Sequence, residues 1–213
     1  MPRPGALVAA VALVVPPLAL HFLTLAESVR PLALALGWAA AAALAVALAH
    51  AAGVGLAEGV TVAAALGLAG YLGAGTPWAV FLPSAAMNLL LAWFFGRTLA
   101  GGRTPLVTAF ARIVRGVSPL PPALERYTRQ VTWAWCLFFV ALVAVSAALA
   151  AFAPLAAWSL FANVLAAPLM AAMFAGEYAY RRRRLSGYEH VPFGTIVARL
   201  AAAGFAVVRP PGK

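Results

Sequence analysis

Six apolar runs of about 18 to 26 residues, divided by short turns and one long arginine-bearing segment, dominate this chain of 213 residues. A bilayer hydrocarbon core of roughly 30 Å takes about 20 apolar residues per helical crossing. Inside it every backbone polar group has to be satisfied internally, which leaves helices as the form for runs of this length. The expected fold is therefore all-α, a polytopic transmembrane helix bundle of about six spans, near residues 5–26, 32–49, 54–73, 78–95, 131–152 and 155–180. Residues 97–130 form one large loop and 181–213 a tail, so the chain reads as a single integral membrane domain.

Composition agrees. Hydrophobic residues make up 65% of the chain and charged residues 9%, far from soluble usage. The formal net charge of +10 would point to nucleic acid in a soluble protein. Here the arginines flank apolar runs and no basic segment interleaved with stacking aromatics stands apart from them, so lipid headgroups and topology explain the charge better than nucleic acid does. The single cysteine, Cys136, lies in an apolar run and reads as a small packing residue, with no intrachain disulfide or cysteine-based metal site open to it.

The individual runs differ in character. The first, Gly5 to Ala26, carries Pro16 and Pro17 at its middle, where a helix should kink. It has the flavour of a signal peptide, with Thr24 and Ala26 at a cleavage-like site, but its length and prolines favour a retained anchor. The third run contains Gly55, Gly59, Ala63 and Gly67 at four-residue spacing, a ridge of small side chains suited to close helix contact or to dimerisation. Trp78, Trp93, Trp133, Trp135, Trp158, Tyr178 and Tyr180 fall near the run ends, as aromatic belts at membrane interfaces would.

Arginine distribution sets the expected orientation. With both termini inside, Arg3, the six arginines of the loop, Arg181 to Arg184, Arg199, Arg209 and Lys213 are all cytoplasmic, and only Arg30 of 15 basic residues is outside. The positive-inside rule selects that arrangement, and a bacterial inner membrane is the expected location. Within the loop, Thr104 and Pro105 look like a helix start, and Leu106, Val107, Phe110, Ile113, Val114 and Val117 cluster on one side. This is an amphipathic helix that lies either on the cytoplasmic membrane surface or against the protein's own spans. Pro119, Pro121 and Pro122 end it, and Phe193, Ile196, Val197, Leu200 and Val207 hint at a second short helix in the tail.

Ionisable groups inside spans are costly and become functional candidates. Glu58 and Glu177 are such groups, although Glu177 can pair with Arg181 one turn on and both can reach interfacial water. Asn88 and Asn163 lie deeper, where hydrogen bonding between helices is the ordinary role and substrate contact the alternative. His21 and His50 sit near opposite ends of neighbouring spans and do not make a metal site. No phosphate loop, catalytic triad motif or metal-ligand spacing occurs, so no cofactor is expected and nothing proposes an enzyme.

Three segments carry a family resemblance: MNLLLAWFFGRTL from Met87 to Leu99, RYTRQVTWAWCLFF from Arg126 to Phe139, and FANVLAAPLMAAMFAGEYAYRRRR from Phe161 to Arg184. They resemble an uncharacterised family of bacterial predicted inner-membrane proteins often found beside acyl-carrier-protein-dependent synthesis genes for aryl polyenes and related lipids. Some members carry a ketosynthase label, but a condensing enzyme needs a Cys with two His in a large soluble fold, which Cys136 alone does not provide. The resemblance implies an accessory or scaffold protein that holds polyene or lipid synthesis machinery at the membrane. Its partners would be lipid and an acyl carrier protein or other pathway proteins. The alternative is a lipid-handling transporter or acyltransferase-like membrane enzyme. A cavity lined by Glu58, Asn88 and Asn163 would favour that alternative; packed spans under a flat basic face would favour the scaffold. On the scaffold reading, Arg97, Arg126, Arg129, Arg181 and Arg182 are the expected contacts for an anionic headgroup or acidic partner.

Overall fold

The computed structural model describes residues 4–53, 56–73 and 77–185, together with 195 and 199. Every regular element among them is helical: α1 (Pro4–Leu25), α2 (Arg30–Ala51), α3 (Leu56–Gly73), α4 (Leu82–Gly96), α5 (Leu106–Arg115), α6 (Pro122–Phe152), α7 (Leu155–Ser159) and α8 (Ala166–Arg184). A 3₁₀ turn, Pro77–Val80, precedes α4, and a π-helical segment, Leu160–Leu165, joins α7 to α8.

Three helical stretches are long and apolar enough to cross a membrane: Arg30–Ala51, Pro122–Phe152 and the joined Leu155–Arg184. Shorter apolar helices occupy Val15–Leu25, Ala57–Leu68 and Leu82–Gly96. The outer surface is greasy, with Phe22, Leu68, Leu137 and Phe174 all more than half exposed, a surface that suits acyl chains far better than water. Helix α1 runs through Pro16 and Pro17 without interruption.

Small residues set the closest helix approaches. A Cβ on Gly59 of α3 would lie 2.9 Å from the Cβ of Ala49, and one on Gly70 would lie 2.7 Å from the Trp38 ring, both on α2. Gly37 of α2 meets Pro83 of α4 in the same way, at 3.0 Å. The expected ridge is thus only partly used: Gly59 closes on α2, Gly67 meets nothing within 4 Å, and Gly55 lies outside the described residues. Cys136 fills the corresponding space between α6 and α4, 3.4 Å from the carbonyl oxygen of Ala92 and opposite Gly96.

Helix α6 begins at Pro122, nine residues ahead of its apolar run, so the end of the arginine-bearing loop is helical. Proline at the first position, with Glu125 in the first turn, explains the start. Its 31 residues span about 46 Å at 1.5 Å per residue, longer than a bilayer core, so its polar first turns project beyond the apolar part. The π segment in the last span has a local cause. Pro168 has no N–H to offer Val164, and the wider turn before it, where the Ala166 N–H reaches Phe161, takes up the lost register.

Helix α5 packs on the bundle, which decides between its two expected positions. Leu106, Thr108 and Val114 are buried, Val107 and Ala111 lie against the α4/α6 core, and Phe110 lies against the end of α2. Its start differs from the expected Thr104 cap. Pro105 occupies the N-cap without a side-chain bond, and the free amides of Leu106 and Val107 donate instead to Thr98 Oγ1 at 3.0 Å and Thr132 Oγ1 at 3.2 Å. Gly116, with φ +66°, ends the helix in the left-handed conformation. Beyond Leu185 only Thr195 and Arg199 are described, both helical, with Arg199 Nη1 donating to the Val114 carbonyl; the rest of the expected tail helix lies outside the described residues.

Candidate functional site

Most arginines gather at one end of the bundle, and side-chain bonds fold the loop onto it. Arg97 Nη2 donates to the carbonyl of Ala52 at 2.8 Å, satisfying an open acceptor at the C-terminus of α2. Its guanidinium also lies 5.1 Å from the Trp93 ring centre. Burial, with Arg103 nearby, pulls its pKa below the ordinary arginine value. Arg129 Nη2 donates to the Leu99 carbonyl at 3.2 Å. Arg112 forms a 2.6 Å ion pair with Glu125, and Thr108 and Thr128 share a 2.7 Å hydrogen bond, so α5 is fastened to α6 at two levels.

These arginines differ in what they hold. Arg97, Arg112 and Arg129 bond to the loop or across it, Arg129 while itself exposed, whereas Arg126, Arg182, Arg183 and Arg184 are exposed around it. Arg181 belongs to a third arrangement. Tyr127 Oη donates to Glu177 Oε1 at 2.7 Å, and Arg181 Nε lies 3.5 Å from the same oxygen, giving the expected i,i+4 pair a third member. The Tyr180 ring stacks on Tyr127 at 6.1 Å, and Arg181 and Arg182 flank Tyr178 at 5.5 and 5.9 Å.

Beside this triad an open groove of about 320 Å³ runs between α6 and α8. Tyr127, Gln130, Val131 and Ala134 form one wall, at positions that share a helix face, and Met173, Gly176, Glu177 and Tyr180 form the other. Polar groups stand at the end nearest the arginines and apolar ones deeper in.

The remaining expected residues lie elsewhere. Glu58 is exposed in the first turn of α3. Asn88 bonds within its own helix, its Nδ2 donating to the Ser84 carbonyl at 2.9 Å, rather than to a neighbouring helix. Asn163 Nδ2 donates to Ser159 Oγ at 3.0 Å, and Ser159 Oγ lies 2.9 Å from His21 Nδ1. The groove therefore takes in Glu177 but not Glu58, Asn88 or Asn163.

The His21, Ser159 and Asn163 group lies at the opposite end of the bundle and escaped the sequence reading, since 138 positions separate His21 from Ser159. A Ser and His at this distance resemble a nucleophile with its base. Ser159 is wholly buried, however, and its oxygen also accepts from Asn163, so the group serves to tie α1 to the last span. Aromatic roles also shift. Trp93 and Trp133 are exposed, as belt residues should be. Trp135 is buried among Phe95, Phe139 and Phe174, and Trp158 is buried against Phe81 with its Nε1 donating to Ser146. No protein-family model, curated protein or solved structure matches the chain.

Proposed function

We propose that this chain is a multi-pass protein of a bacterial inner membrane, with about six spans and both termini in the cytoplasm, whose basic end docks an acidic partner of acyl-chain or polyene synthesis. An acyl carrier protein is the partner this reading names. One observation carries it: the loop is folded into a platform by Arg97, Arg112 and Arg129, while Arg126 and Arg182 to Arg184 remain exposed on it. A topology signal needs only the charge, whereas a docking face needs that charge held in fixed positions. On this reading the chain serves as an accessory or scaffold protein.

The test is binding of acyl carrier protein to the chain in phosphatidylcholine nanodiscs. Binding should fall steeply with salt, vanish in Arg126→Glu with Arg182→Glu, and survive Arg126→Lys. Binding that ignores charge reversal, or no binding at low salt, defeats the proposal. A second reading, a lipid-handling transporter or acyltransferase-like enzyme, draws its support from the groove between α6 and α8.

A further inference from the structure

The α6/α8 groove has a polarity that matches one kind of molecule. Its mouth carries Tyr127, Glu177 and Tyr180, and its depth carries Val131, Ala134 and Met173. These two halves follow the helices from their polar ends toward their apolar middles, so a ligand lying there would place a polar head at the interface and a chain among acyl tails. From this gradient we infer that the groove is a binding site for a phospholipid with an anionic headgroup, one acyl chain lying between α6 and α8 and the phosphate at Arg181 and Arg184, which continue the Glu177 face of α8. The inference goes beyond the docking role and stands without it.

Three further observations support this occupant. The groove is open where a side chain would close it, since a Cβ on Gly176 would meet nothing within 4 Å. No residue of α8 is buried, so its wall is open to a neighbour. The charge at the mouth selects an anion: Glu177 is already engaged by Tyr127 and Arg181, while Arg184, two turns beyond Glu177 on the same helix face, and its neighbour Arg183 are exposed.

The experiment is native mass spectrometry of the full chain released from vesicles of equimolar phosphatidylglycerol and phosphatidylcholine containing oleic acid. The expected spectrum shows one retained phosphatidylglycerol. Gly176→Leu should remove it, because the leucine enters the groove from a position where its Cβ meets nothing within 4 Å, and it favours the helix. Arg183→Gln with Arg184→Gln should weaken retention by roughly fivefold per arginine at low salt. A thermal melt of Gly176→Leu as high as the parent's shows that loss of the adduct is not loss of fold; should that variant melt early, Ala134→Leu fills the groove from the opposite wall. Retention of phosphatidylglycerol in a folded, filled-groove variant overturns the inference, as does preferential retention of phosphatidylcholine or oleic acid by the parent. Acyl-carrier-protein binding is read separately in nanodiscs that contain no anionic lipid, so either result can fail alone.

Discussion

Tyr127 donates its phenolic proton to Glu177 across 50 positions of sequence, at 2.7 Å, and so joins the first turns of α6 to the last turns of α8. It is the cross-link that spans the groove mouth. Tyr127→Phe removes the donor while leaving the ring stacked on Tyr180, and should destabilise the protein by about 1 kcal/mol, the usual worth of such a bond. Thermal unfolding in detergent checks this. Glu177→Gln should be milder for Tyr127, which keeps an acceptor, and should instead loosen Arg181. Equal melts for all three proteins would show that the bond contributes nothing to stability.

The start of α5 depends on two threonines outside that helix. Thr98→Val and Thr132→Val each leave one amide, of Leu106 and Val107 respectively, without its acceptor. Each should cost about 1 kcal/mol, as for loss of an ordinary cap. Hydrogen exchange at Leu106 and Val107 should accelerate by roughly fivefold or more, while the middle of α6 stays protected. Thr104→Val, at the position that local sequence favours as the cap, should leave both amides as protected as in the parent.

The glycines of α3 separate a used contact from an unused one. Gly59→Leu and Gly70→Leu drive side-chain atoms into Ala49 and Trp38, and should destabilise by about 1–3 kcal/mol or more. Gly67→Ala meets open space and should be neutral or stabilising, since alanine is the better helix former. Detergent melts of the three variants decide the matter, and a Gly67→Ala that melts as early as Gly59→Leu would place a partner on that face.

These cases mark what can be read from sequence and what cannot. Apolar runs locate helices because length and hydropathy are local, and the i,i+4 pair of Glu177 with Arg181 was visible for the same reason. The start of α6 at Pro122 was also visible in principle, from the proline and Glu125, but the charges of Arg126 and Arg129 masked a helix that projects past the apolar run. Trp135 and Trp158 look like belt residues by position, yet packing buries them, and position along a span does not say which way a ring points. The caps of α5, the Tyr127 bond and the Ser159 group join residues far apart in the chain. No local pattern encodes them.

The orientation has a direct test. With Cys136 replaced by Ala, single cysteines at Ala123 and Glu27 report on opposite ends of the bundle, and both positions are exposed. An impermeant maleimide should label Glu27→Cys in intact spheroplasts and Ala123→Cys only in inverted vesicles. The reverse pattern would place the basic end outside and remove the cytoplasmic partner, since charge alone selected the orientation.

Ser159 and His21 distinguish a structural tie from chemistry. Ser159→Ala deprives both His21 Nδ1 and Asn163 Nδ2 of their partner inside an apolar bundle, and should cost about 1–3 kcal/mol. The loss should appear first as weaker docking of α1, read as earlier proteolysis near Glu27. A nucleophile would behave differently, because it has to meet a substrate, and Ser159 has no exposed surface. A fluorophosphonate probe should therefore leave the parent unlabelled. Labelling that disappears in Ser159→Ala and in His21→Ala, with the fold intact by circular dichroism, would replace the tie with an active serine and move the search for function to this end of the bundle.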